Sequence, residues 1–256
     1  MINSPHPNSL PYGHKSLGGE GTLKKPNKGF FITGTDTGVG KTRISLAVMR
    51  VLQQQGLRVA AMKPVASGCE MSAEGLRNED ALLLQQHASA IRPYDLINPY
   101  AFAPPIAPHL AAARSGVTIE FSRIIAGYQQ LAAGSDGVVV EGAGGWLVPL
   151  NDTQSIADLA LTLKLPVILV VAIRLGCINH ALLSAQAIRS SGCVLAGWIA
   201  NHTQPADGQS AEIVSAIKQR IAAPLLGDVT YQPELEVDRM ALSIDSTALR
   251  KACERE

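Results

Sequence analysis

Lys41 and Thr42 close the segment Gly34-Thr35-Asp36-Thr37-Gly38-Val39-Gly40-Lys41-Thr42, and Arg43 follows. That order of residue types is suited to gripping a polyphosphate. Glycines let backbone N–H groups turn inward, and the N-terminus of the helix that follows adds positive potential. Lys41 reaches the outer phosphates, and Thr42 offers a hydroxyl to Mg2+. The ligand implied is ATP with Mg2+. The usual pattern has a glycine six residues before the lysine; Thr35 stands there, and Gly34 is seven before. An ordinary glycine-rich turn is the competing reading, but Gly-Lys-Thr between an apolar run and a helical stripe rarely arises without phosphate binding.

Other residues with chemistry follow apolar runs. Glu141 ends Val138-Val139-Val140 and precedes Gly142-Ala143-Gly144-Gly145, where a ligand can approach the backbone closely. An acid so placed can hold magnesium directly or through water. Lys63 leaves Val59 to Met62 just before Pro64, and a second cation there suits a reaction that develops phosphoryl charge. Asp80 is either a second metal carboxylate or a charge at a helix N-terminus.

Positioning these groups requires strands that end together. From Gly29 onward, short apolar runs alternate with segments of helical period: Phe30 to Thr33, Val59 to Met62, Val138 to Val140, Val167 to Ala172, Leu195 to Ala200 and Leu225 to Gly227. Each lacks alternation, as a strand buried on both faces does. Ile44, Ala47, Val48, Val51 and Leu52 form a helical stripe that Gly56 ends, and similar stripes run from Ile124, Leu182 and Ile213. The pattern predicts an α/β protein, a mostly parallel sheet with helices on both faces, in the single-domain P-loop NTPase fold. Lys63 to Pro108 reads as an irregular excursion over the carboxyl ends of the strands.

The 256 residues carry 46% apolar side chains, enough for one domain over 29–256. Met1 to Lys28, poor in apolar residues, reads as a disordered tail. A net charge of +1 offers no field to recruit nucleic acid or an anionic membrane. The four cysteines have no metal-ligand spacing, and no apolar run approaches a membrane span. A reduced, cytoplasmic protein is expected.

Several segments together resemble dethiobiotin synthetases: the loop from Gly34 to Thr42, Lys63-Pro-Val-Ala-Ser-Gly68, Glu74-Gly-Leu-Arg-Asn78 with Asp80, Asn98-Pro-Tyr100 and Pro108-His109. Further on come Val140-Glu-Gly-Ala-Gly-Gly-Trp146, Leu175-Gly-Cys-Ile-Asn-His180, Gly197-Trp-Ile-Ala-Asn201 and Pro224-Leu-Leu-Gly227, in the family's order over about 200 residues. The resemblance implies a ligase that closes a ureido ring in the penultimate step of biotin synthesis. CO2 and 7,8-diaminononanoate form a carbamate, ATP converts it to a carbamic-phosphoric anhydride, and the second amine expels phosphate to give dethiobiotin.

Carried over by the resemblance, Lys41 and Lys63 are catalytic, and Thr42, Asp80 and Glu141 hold Mg2+. Gly38, Val39, Gly40, Arg43, Gly142, Ala143, Gly144, Asn201 and His202 join the nucleotide site, with Asn201 on the adenine edge. Thr37, Lys63 and Ser67 face the diamine. Gly176, Cys177 and Asn179 meet its far carboxylate across a homodimer interface, although helix-start packing remains an alternative for Cys177 and His180. Gly38 stands where some relatives carry Glu, and His202 where Asp is common. Asp228 to Glu234 joins the nucleotide site on a thinner match.

Two other classes are weighed. A partitioning or positioning ATPase shares this fold but usually has a second lysine early in the loop, where Gly34 to Thr37 stand. A glutamine-dependent amidoligase needs an amidotransferase domain, for which the chain has no room.

Overall fold

The computed structural model describes residues 29–205 and 208–253. The tail expected over 1–28 lies outside the described residues. β1 (Phe30–Gly34) enters the phosphate loop and α1 (Lys41–Gln54) leaves it. β2 (Val59–Met62) follows.

The stretch after β2, expected to be irregular, is built instead from short elements. These are β3 (Val65–Ser67), β4 (Glu70–Ser72), β5 (Gly75–Arg77), α2 (Glu79–His87), α3 (Tyr94–Ile97) and β6 (Tyr100–Phe102), with α4 (Pro108–Arg114) at the end. β3 pairs with β6 in parallel, and β4 with β5 as a hairpin. Three-residue strands are too short to show a period, so tertiary pairing defines them.

The remainder alternates helix and strand. α5 (Phe121–Ala133) leads to β7 (Gly137–Gly145), α6 (Ile156–Leu163) to β8 (Val167–Ala172), α7 (Cys177–Ser190) to β9 (Leu195–Asn201), and α8 (Ser210–Lys218) to β10 (Leu225–Val229). α9 (Val237–Leu242) and α10 (Ser246–Cys253) follow.

The main sheet has the order β10-β9-β8-β1-β7-β2, and every neighbouring pair is parallel. β1 sits inside the sheet, so the connections diverge to either side of it. In open parallel sheets ligands bind at such a divergence, outside the carboxyl ends of the strands.

Successive residues of β1 enter opposite layers, because strand side chains alternate. Phe31 packs with Ile124, Leu159, Ile188 and Ile217 from α5, α6, α7 and α8. Phe30 and Ile32 pack with Leu52, Leu84, Met240 and Leu249 from α1, α2, α9 and α10. The expected helices on both faces are present.

β7 runs past Glu141 because its glycines stay paired, Ile32 opposite Glu141 and Gly34 opposite Gly145, with a register shift between. Trp146 anchors the end of this strand. Its ring meets Phe31 edge-on at 6.3 Å, and its Nε1 donates to Ser191 Oγ at 3.1 Å.

Candidate functional site

Gly38 and Gly40 adopt φ of 73° and 87°, the left-handed region that side chains with Cβ rarely take. A Cβ on Gly40 would lie 2.1 Å from Asn201 Nδ2, so both backbone shape and space require glycine there. Gly40 also starts α1 without a side-chain cap or an acid in the first turn, which leaves this helix end open to an anion. Lys41 folds back beside the loop and donates from Nζ to the Asp36 carbonyl at 2.9 Å. Burial, and then the charge of Lys63, lowers the Lys41 pKa to about 8.

Beneath the loop, β2 and β7 bring Lys63 and Glu141 together. Lys63 Nζ donates to Glu141 Oε1, to Asp80 Oδ2 at 3.2 Å and to the Gly142 carbonyl at 3.4 Å. Burial alone lowers a lysine pKa, but the Glu141 and Asp80 charges outweigh it and raise that of Lys63. Burial works against the Asp80 carboxylate too, yet the Lys63 charge and hydrogen bonds from Thr42 and Lys63 hold its pKa below the usual range. Lys63 and Asp80 are therefore both charged at neutral pH.

Asp80 reaches this cluster from the first turn of α2, so one carboxylate stands both at a helix N-terminus and on the cavity wall. Asn78 caps that helix by accepting from the Ala81 N–H at 3.2 Å. The Asn78 N–H donates to the Tyr94 hydroxyl, which donates to Asn98 Oδ1 at 3.0 Å. Asn98 in turn donates from Nδ2 to the carbonyls of Lys63 at 2.7 Å and Tyr100 at 3.2 Å. This buried chain ties the backbone of Lys63 to the helix start that carries Asp80.

Thr42, Asp80 and Glu141 fit a magnesium ion. The Thr42 hydroxyl donates to Glu141 Oε1 at 3.0 Å. Glu141 is fully buried, and its Oε2 has no hydrogen-bond partner in the protein. A buried carboxylate oxygen left unpaired is costly unless a cation or ligand meets it. Among the described residues no three His, Cys, Asp or Glu side chains gather into a closed metal cage. Two carboxylates and a hydroxyl suit Mg2+, which is completed by phosphate and water.

The cavity above this floor holds about 680 Å3. Thr37, Gly38, Gly40, Lys41, Thr42 and Arg43 line it from the loop, and Lys63, Ser67, Asp80, Glu141, Ala143 and Gly144 from the strands and α2. Val39 and Gly142 lie behind this lining: Val39 is buried, and its carbonyl accepts from Asn201 Nδ2 at 2.8 Å. Ile106 and Val148 also line the cavity, as apolar residues that residue chemistry alone would not single out.

A second cavity of about 140 Å3 adjoins the loop, lined by Gly38, Gly40, Arg43, Asn201, His202 and the segment from Val229 to Gln232. Asn201 lines this cavity, and the bond from its Nδ2 to the Val39 carbonyl sets the orientation of its amide. His202 Nε2 lies 2.7 Å from Asp228 Oδ1, so β10 brings a carboxylate beside the histidine. Gly176, Cys177 and Asn179 line neither cavity. Cys177 packs into the core, whereas Gly176 and Asn179 are exposed at the start of α7.

A parallel sheet whose first strand delivers a phosphate loop into a helix, with an acid on the neighbouring strand, defines a P-loop NTPase. The sequence profile of a family described as an AAA domain matches residues 28–239. Among solved structures, a ParA family ATPase from Chlorobium tepidum TLS superposes with a TM-score of 0.50 at 18% identity, covering 90% of this chain and 94% of that one. The MinC:MinD cell division protein complex of Aquifex aeolicus gives 0.51 at 16%, covering 89% and 95%. At such identities the likeness is one of fold.

Sequence relatives are far nearer. An ATP-dependent dethiobiotin synthetase of Pseudomonas aeruginosa (strain UCBPP-PA14) is 49% identical over 217 residues, 84% of this chain and 95% of the relative. One of Escherichia coli O157:H7 is 49% identical over 208 residues, 81% and 92% of the two chains. The chain belongs to the dethiobiotin synthetase family.

Proposed function

We propose that this chain makes dethiobiotin, ADP and phosphate from 7,8-diaminononanoate, CO2 and ATP, acting as an ATP-dependent ligase in biotin synthesis. The observation that carries the reading is the meeting of Lys41, Lys63, Thr42, Asp80 and Glu141 at the base of one cavity beside the phosphate loop.

In the proposed sequence an amine nitrogen of the diamine attacks the carbon of CO2 and loses a proton, giving a carbamate. A carbamate oxygen attacks the γ-phosphorus, the bond to the β,γ-bridging oxygen breaks, and ADP leaves. The second amine then attacks the carbamoyl carbon, phosphate departs, and the five-membered ring closes with loss of a proton. Carbamate and γ-phosphate are both anions, and Lys41 and Lys63 supply the opposing charge in advance of the reaction. Thr37 and Ser67, polar and on the cavity wall, would bind the diamine or its carbamate. Mg2+ held by Thr42, Asp80 and Glu141 would neutralise charge on the triphosphate.

The proposal extends to a homodimer in which Gly176 and Asn179 of one copy meet the substrate carboxylate bound in the other, while Cys177, buried and with its N–H bonded to the Arg174 carbonyl, only packs the helix start. Its support is the exposure of the α7 start beside Leu175, which is 94% exposed, with Leu183 at 58% on the same helix. A cytoplasmic setting is consistent with the free thiols of Cys69, Cys177 and Cys193. No helix of the described residues is long and apolar enough to cross a membrane.

The test is incorporation of labelled bicarbonate into dethiobiotin, with and without ATP and Mg2+. Label in a ring product that requires ATP and the diamine supports the proposal; ATP hydrolysis indifferent to the diamine and without product refutes it.

A further inference from the structure

We propose that Gln232 reads the nucleobase and that Arg43 is the positioning residue that holds it there, an inference that rests on the nucleotide site proposed above. Gln232 lies just beyond β10, lines the second cavity and is 5% exposed. Its Oε1 and Nε2 are both buried without a hydrogen-bond partner in the protein. An amide buried with both ends unpaired is unfavourable and calls for partners from a ligand.

Arg43 explains how this group is held. Its Nη2 donates to the carbonyls of Gln232 at 2.8 Å and Glu234 at 2.7 Å. It lines both cavities and stands one residue after Thr42 in the first turn of α1. The phosphate grip and the Gln232 turn, 189 residues from Arg43 along the chain, are thereby fixed to one helix end.

The chemistry of the two amides differs. A glutamine places an acceptor beside a donor, which matches the amino group and adjacent ring nitrogen of adenine. No protein group sets which way the Gln232 amide faces, so turned over it would also suit the keto edge of guanine. Asn201 cannot turn over without losing its bond to the Val39 carbonyl, and it presents Oδ1 as an acceptor. The adenine amino group has a hydrogen for each. Gln232 thus supplies base affinity, and Asn201 selects against a keto base.

Binding of ATP, purine riboside triphosphate, which lacks the amino group, and tripolyphosphate is measured by calorimetry with Mg2+ for the parent, Gln232→Met, Arg43→Lys and Lys41→Ala. In the parent, ATP exceeds purine riboside triphosphate by roughly ten- to a hundredfold, the worth of a good bidentate pair. Gln232→Met, unbranched and of similar length, shrinks that ratio about tenfold and leaves tripolyphosphate binding unchanged. It also keeps or raises the melting temperature of the ligand-free protein, since two unpaired polar atoms are removed, whereas a merely structural glutamine would lower it. Arg43→Lys, unable to span two carbonyls, reduces the ratio while tripolyphosphate still binds.

An unchanged ratio in Gln232→Met, with ATP binding still dependent on Lys41, overturns this inference alone. ATP binding indifferent to Lys41→Ala overturns the nucleotide site itself, and this inference with it.

Discussion

Replacing Lys63 with alanine removes the cation that faces Glu141, a carboxylate with no solvent exposure. After the substitution Glu141 keeps the Thr42 hydroxyl at 3.0 Å, and its Oε2 still has no partner. Asp80 loses Lys63 as well, but its side chain is 41% exposed and water compensates it. The stability cost therefore comes from one stranded buried charge. Breaking such a pair costs about 3 to 5 kcal/mol. In a domain of this size each kcal/mol moves the melting temperature by about 2 to 4 °C, so Lys63→Ala should melt roughly 6 to 20 °C lower. Lys63→Ala/Glu141→Gln, with no charge left buried there, should recover most of that loss. Turnover falls at least ~100-fold in both variants, the scale of losing a transition-state charge partner, while ATP affinity in Lys63→Ala changes only a few-fold. Thermal unfolding followed by circular dichroism, with steady-state assays on the same preparations, measures all of this. A single variant that melts with the parent, or a double variant that melts no higher than the single, refutes the reasoning on the buried charge. Turnover at the parental rate refutes the catalytic role.

Lys41→Ala should weaken ATP binding and slow turnover together, because that side chain meets phosphate before and during reaction; unchanged affinity by calorimetry contradicts this. Hydrogen bonds from the Arg58 side chain and its N–H lower the Asp136 pKa to about 2, so the contribution of this contact is present at neutral pH and lost as pH falls from about 3.8 towards about 2. Asp136→Asn should accordingly melt below the parent at pH 7 and converge with it near that lower limit; a pH-independent difference rejects this account. Mixing Lys41→Ala and Asn179→Ala protomers should restore part of the activity, since one of two mixed sites is intact. Heterodimers that form and remain inactive place the carboxylate contact within one subunit.

The sheet was legible because its inner strands are buried on both faces and read as apolar runs, as Val167 to Ala172 shows. The loop was legible because Gly38, Gly40, Lys41 and Thr42 are adjacent in the chain. The region from Lys63 to Pro108 was not, since β3 and β6 are defined only by pairing with each other across the intervening hairpin and helices. The role of Asp80 is open in the sequence because spacing does not report its distance to Lys63, 3.2 Å in the fold. α6 went unread although Ser155 and Asp158 form a capping box at its start. Gln232 was hidden for another reason: a glutamine in a loop has no signature, and its importance lies in a cavity assembled from β1, β9 and β10 ends together with Arg43.

The central claim is that phosphate is transferred to a carbamate oxygen, and oxygen-18 in the CO2 tests it most directly. Single-turnover reactions started with labelled CO2 or bicarbonate, diamine, ATP and Mg2+ are quenched before exchange with water, and the released phosphate is analysed by mass spectrometry. The carbamate oxygen that attacks the γ-phosphorus stays on phosphorus when the ring closes, so each phosphate should carry one oxygen derived from CO2. Dethiobiotin formed alongside phosphate that carries no label would contradict the account.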